Sequence, residues 1–255
     1  MINDEDFIDK KLHTILEDAV FFFEESNSII YEETDDPCVR HEKSTRGSSF
    51  ARASILNSAL LLEATANSCI DTLELPKVLF SKVERGRTIA KFGFYLGTLK
   101  TGQTLDKGSL VTQKANDLIN QRNKYVHPKH YRSKWEKIDD KTRKVNLGES
   151  KYLKLPNSLW HCKHIHAENS LRAAFDFVSY FFRDLCKFNE HQVREIIFDS
   201  QDPQQPQKWI DLHYEIKVDV GFLVNFAEVE EGEKKLNEHI ANQEKAALSD
   251  GDQNA

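Results

Sequence analysis

The stretch Gln121-Arg122-Asn123-Lys124-Tyr125-Val126-His127-Pro128 brings together two side chains suited to phosphate chemistry without a metal. The guanidinium of Arg122 is a planar fork that matches a pair of phosphate oxygens. His127, five residues on, exchanges a proton near neutral pH. Arg122 lies three and four residues after Ile119 and Leu118 and four before Val126, so it projects along an apolar stripe of a helix. A guanidinium drawn into such a stripe needs a partner or a ligand. His127 precedes a proline, a position disfavoured in the helical region, so the helix should stop there. The negative end of the helix dipole then favours the charged imidazole. Asn123, four residues before His127, shares its face and could orient the ring or hold a phosphate.

Glu63 lies among Leu56, Ala59, Leu60, Ala66, Asn67 and Ile70, a stripe in which a carboxylate calls for a partner. Arg122 is the expected partner, and Asn67, one turn on, extends the same polar cluster. These residues also fit a plain structural role, an Arg122–Glu63 ion pair with His127 as a helix cap. The run His161-Cys162-Lys163-His164-Ile165-His166 offers three imidazoles and a thiol. Zinc sites draw ligands from two separated stretches, and no second pair is present, so no metal is expected here. The chain has no glycine-rich phosphate loop and no G-x-S-x-G elbow. The four cysteines are dispersed without a C-x-x-C pair, which gives no disulfide framework.

The elements that must position these residues are helical. Apolar residues recur at three- and four-residue spacing over 4–25, 49–73, 108–126 and 167–187, with shorter helices at 77–83 and 85–100. Pro76 ends the second of these. Residues 26–48, with Asp-Asp-Pro and a glycine, read as a loop. Val145/Leu147 and Tyr152/Leu153/Leu155 flank Gly148-Glu149-Ser150, a candidate hairpin turn. Beyond the breaker-rich 202–206, strict alternation from Ile210 to Phe222 predicts a strand, which must pair with the 145–155 segment or another chain. The expected organisation is a mainly α bundle over 1–200, a linker and β segment over 201–227, and an acidic tail over 228–255. Its small β element would lie near 143–155 and 208–224.

A 39% hydrophobic, 30% charged composition in 255 residues is that of a globular protein with a real core. No run of apolar residues is long enough for a membrane span, and the N-terminus is acidic where a signal peptide would be basic, so a cytoplasmic location is expected. The net charge of -6 is unevenly spread. Residues 1–36 hold twelve acidic and two basic residues, and 226–252 hold eight and three. Residues 76–105 hold six basic residues and one acidic, and 121–144 hold nine and three. A basic middle between acidic ends predicts one surface that attracts polyanions.

The form Arg122-Asn123-x-x-x-His127 resembles the R-x4-H motif of the HEPN superfamily, the higher eukaryote and prokaryote nucleotide-binding domains. Leu118-Ile119 is similar to the apolar lead-in of that motif. Leu56-Asn57-Ser58-Ala59-Leu60-Leu61-Leu62-Glu63-Ala64-Thr65-Ala66-Asn67 resembles the family's early helix with an inward polar residue, and 167–187 its last core helix. The likeness covers about 50–187. It implies an antiparallel helical bundle and a metal-independent endoribonuclease, often a toxin or phage-defence effector, that works without a cofactor. It also implies a homodimer with a composite site and an antitoxin or other regulatory partner. Some members are catalytically silent and bind RNA or protein instead. Arg122, His127 and Asn123 would then be catalytic, with Glu63 and Asn67 behind them. RNA supplies its own nucleophile, the 2′-hydroxyl, so one residue to move protons and one to hold the phosphate suffice. Lys77, Lys82, Arg85, Arg87, Lys129, Arg132 and Lys134, in the two basic runs, are the candidates for contacts to RNA phosphates.

Overall fold

A computed structural model of the chain describes residues 11–32, 35–128, 135–137, 139, 143–145, 147–197, 207–222 and 234. These residues are mainly helical. In order they form α1 (Leu12–Asn27), α2 (Pro37–Asp71), α3 (Lys77–Glu84), α4 (Thr88–Thr98) and α5 (Leu110–Val126). A short hairpin follows, β1 (Trp135–Lys137) and β2 (Arg143–Val145), and then α6 (His164–Ser179), which runs into a π-helical stretch, Tyr180–Cys186. Two further helices, α7 (Glu190–Ile197) and α8 (Gln207–Ile216), complete the described fold.

Helix α2 is the spine of the bundle, with α1, α4, α5 and α6 packed around it. It begins well inside the segment expected to be a loop. The Asp36 carboxylate accepts the Cys38 N–H at 2.7 Å and Pro37 fills the first helical position, so Asp-Pro starts a helix here. Gly47 lies within it, where its carbonyl accepts the Ser26 hydroxyl at 3.2 Å and draws the end of α1 against α2. The core is aromatic where α4 meets α6. The Phe92 ring stands edge-on to Phe177 and Phe181, with centroids 5.0 and 4.6 Å away, and all three are fully buried.

Three expectations about β structure are corrected. Residues 207–216 are helix α8, not a strand. Alternating apolar positions contain i, i+4 pairs, and α8 uses Leu212 and Ile216 in that way while Tyr214 stays exposed. Lys217, at φ 54°, ends the helix, and Val218, Val220 and Phe222 continue into the core as irregular chain. Arg172 fastens this crossing by donating to the Ile216 carbonyl from Nε at 3.1 Å and from Nη2 at 2.7 Å. Second, β2 pairs antiparallel with β1, Glu136 opposite Lys144, and not with 208–224. Third, Gly148-Glu149-Ser150 does not turn a regular hairpin. It opens a compact loop closed by the Ser150 N–H on the Leu155 carbonyl at 2.8 Å, with Leu153 and Leu155 buried.

Candidate functional site

Helix α5 carries the motif, and two of its faces explain how. One face is stitched to the 149–157 loop. The Asp117 carboxylate accepts the N–H groups of Tyr152 and Leu153 at 2.7 and 3.2 Å. One turn on, Gln121 donates to the Pro156 carbonyl at 2.9 Å, and Lys124 donates to Asn157 Oδ1 at 2.6 Å. The other face, Asn116, Ile119, Asn120 and Asn123, opens onto a cleft and recurs at helical spacing. The first turn of α5 is held by Ser109, whose Oγ accepts the Thr112 N–H at 3.3 Å. Ser109→Ala should therefore lower the free energy of unfolding by about 1 kcal/mol in urea titration. An unchanged midpoint would show that the cap contributes nothing.

The cleft has a volume of about 620 Å³ and lies between α2, α5 and the start of α4. Arg85, Arg87, Lys107 and Arg122 are its cationic lining residues, and Glu63 its carboxylate, among the described residues. Thr88, Ile89 and Ala90, the first turn of α4, also line it. The start of a helix, where the dipole is positive, thus borders the cavity. Gly86 makes the tight turn between α3 and α4. A Cβ at this position would stand 2.8 Å from the Val83 carbonyl oxygen. The glycine thus allows Arg85 and Arg87 to sit on the same rim.

Arg122 enters the cleft as a partly satisfied guanidinium. Its Nη2 is 3.1 Å from Glu63 Oε2, and its Nη1 donates to Asn123 Oδ1 at 3.1 Å. Its Nε is buried with no hydrogen-bond partner among the described residues. The side chain is 26% exposed and that of Glu63 35%, so the pair is half-buried and open on the cleft side. Asn67 does not join this pair directly. Its Oδ1 accepts a hydrogen bond from Lys91 Nζ at 2.6 Å. Lys91 is only 4% exposed, and burial holds its pKa below the usual lysine value, against the opposing pull of Glu63, Glu84 and Asp71.

His127 terminates α5 as the following proline predicts, with its N–H on the Asn123 carbonyl at 2.9 Å. It is exposed and is not among the residues lining the cleft of its own chain. Arg85 and Arg87 are at the cleft, whereas Lys77 and Lys82 are exposed on α3 away from its lining. Lys129, Arg132 and Lys134 lie outside the described residues.

The His161–His166 run caps a helix. The Lys163 N–H donates to His166 Nδ1 at 2.9 Å at the start of α6. Burial, and then the Lys163 charge, push the His166 pKa down, and burial pushes the Cys162 thiol up to about 11. No group of three His, Cys, Asp or Glu side chains is placed to hold a metal ion among the described residues. Likewise no described helix is long and apolar enough to cross a membrane.

Sequence reasoning missed Lys91, Lys107, Asn116 and Asn120. Lys107 sits in a loop with no periodicity to place it. A face of Asn116, Asn120 and Asn123 was visible as an i, i+4, i+7 polar stripe next to the motif. No family model, curated protein or solved structure matches the chain.

Proposed function

We propose that the protein is a metal-independent endoribonuclease of the HEPN type that acts on single-stranded RNA. The observation that carries this reading is the cleft itself, in which Arg122 stands among three further cations and a helix N-terminus. A polyanion suits that lining, and the donors of Arg122 left uncommitted by Glu63 and Asn123 suit a phosphate. In the proposed reaction a histidine takes the 2′-hydroxyl proton and the 2′-oxygen attacks the adjacent phosphorus. The bond from phosphorus to the 5′-oxygen breaks, and that oxygen receives a proton. The products are a 2′,3′-cyclic phosphate and a 5′-hydroxyl. Arg122 stabilises the extra negative charge on the phosphate in the transition state. The exposed His127 at the end of α5 is accessible to a second copy of the chain, so two copies supply one histidine to accept a proton and one to donate it.

The test is a cleavage assay on the purified protein with a labelled RNA, the matched DNA, and both repeated in EDTA. RNA should be cut equally with and without EDTA, because no step uses a metal-bound water. DNA should stay intact, because it lacks the 2′-hydroxyl. Loss of activity in EDTA, or cutting of DNA, would overturn the mechanism. One observation favours a second reading, a silent module that binds RNA or a protein. His127 lies beyond the cleft lining of its own chain. Binding of RNA with no cleavage under any of these conditions would select that reading.

A further inference from the structure

A cleft built to hold an anion has an electrostatic problem in the Glu63–Arg122 pair. The carboxylate orients the guanidinium through Nη2 at 3.1 Å, but it also cancels its charge. A third charged group interacts with Glu63. Lys91 extends from α4 into the interior, is almost wholly buried, and donates from Nζ to Asn67 Oδ1 at 2.6 Å. Asn67 is one helical turn from Glu63 on α2, so the ammonium is anchored on the Glu63 face of that helix. A buried lysine is costly, and apolar side chains would pack this place more simply. Its presence calls for a role.

We infer that Lys91 is a positioning residue that offsets the Glu63 carboxylate and leaves the Arg122 charge available to the bound anion. Glu63 and Arg122 alone sum to zero; Lys91 adds one positive charge against Glu63, a charge it shares with two further carboxylates. Glu63 then holds the geometry of Arg122 without silencing it. Apart from Glu63, the carboxylates that favour the charged lysine are Asp71 on α2 and Glu84 on α3. Burial opposes them and holds the lysine pKa below its ordinary value. The charged ammonium therefore persists below that lowered pKa and is lost as pH rises through it. Anion affinity should fall over the same rise in pH.

The inference rests on the proposed RNA reading for its natural ligand, so two probes are used. One is a short single-stranded 2′-O-methyl RNA, which binds without being cleaved, and the other is inorganic pyrophosphate. Binding is measured across neutral to alkaline pH for the wild type, Lys91→Met, Lys91→Arg and the double variant Glu63→Gln/Lys91→Met, with circular dichroism as the check on folding. Lys91→Met should bind about tenfold more weakly near neutral pH, the effect of one unit charge roughly 10 Å away in a dielectric of about 20. The double variant should regain near wild-type affinity, because the carboxylate that needed offsetting has gone while the amide oxygen that replaces it can still accept from Arg122. Lys91→Arg should keep its affinity where the wild type declines with rising pH.

A folded Lys91→Met that binds like the wild type would overturn the inference, as would a double variant that stays weak. If Lys91→Met does not fold, the double variant, which removes the Glu63 and Lys91 charges together, and the pH profile of Lys91→Arg decide it by the same criteria. A wild type that binds pyrophosphate but not RNA would end the RNA reading and leave Lys91 to be judged on pyrophosphate. A wild type that binds neither would end both.

Discussion

His127→Ala should abolish RNA cleavage while leaving the helical bundle intact. The side chain is exposed at the end of α5, and only its backbone N–H closes a helical hydrogen bond, to the Asn123 carbonyl. Alanine keeps that bond and removes no buried contact. The rate should fall by about 10²- to 10⁴-fold, the usual contribution of a group that moves a proton in the transition state. Gel analysis of a labelled RNA gives the rate, and a urea titration should give a midpoint close to the wild type. Cleavage at the wild-type rate would remove His127 from the mechanism and leave the cleft as a binding site. A large loss of stability would mean that the exposed imidazole has a structural role its surroundings do not indicate.

Arg122→Ala should lose cleavage as completely, but through a different physical effect. It removes the cation that meets the developing charge on phosphorus, for which a loss of about 10²- to 10³-fold is usual. It also weakens RNA binding, which His127→Ala should leave nearly unchanged. The stability cost should be modest. A fully buried partner left alone costs about 3–5 kcal/mol, whereas an exposed pair contributes about 0–1. Glu63 is 35% exposed and Lys91 lies nearby to take up part of its charge, so about 1 kcal/mol is expected. Arg122→Lys sharpens the test, because it keeps the charge and loses the planar fork. Binding retained with cleavage lost would assign Arg122 to transition-state geometry. Cleavage retained in Arg122→Ala would overturn the assignment.

The difference between the two variants follows from surroundings that were unevenly legible. An isolated carboxylate in the stripe of α2 and an isolated arginine in the stripe of α5 are each unfavourable, and pairing resolves both. That is why the sequence alone pairs Glu63 with Arg122, and the two stand 3.1 Å apart. Asn67 had no such unique solution. Its amide suits many partners, and the one it meets, Lys91, lies in a helix whose lysine reads as one surface charge among many. The exposure of the pair was also out of reach, since a stripe tells which way a side chain points but not how far the neighbouring helix stands off.

From sequence alone the helical character of this chain was determined, because three- and four-residue apolar spacing over α1, α2, α5 and α6 leaves a helix as the conformation that buries one face. So was the end of α5 at His127, since a residue before proline resists the helical conformation locally. The tertiary structure decided what depends on distant partners. The alternating residues after 209 were compatible with a strand or with i, i+4 helix contacts, and the Ile216 carbonyl meeting Arg172 across 44 positions belongs to the helical solution. The cleft is tertiary in the same sense. Arg85 and Arg87 in the α3–α4 turn, Lys107 in the following loop and Arg122 on α5 come from three segments, and they share one cavity because α4 and α5 pack against the same spine, α2. Local spacing encodes which face of each helix is apolar; it does not encode which loops the packed helices bring to one rim.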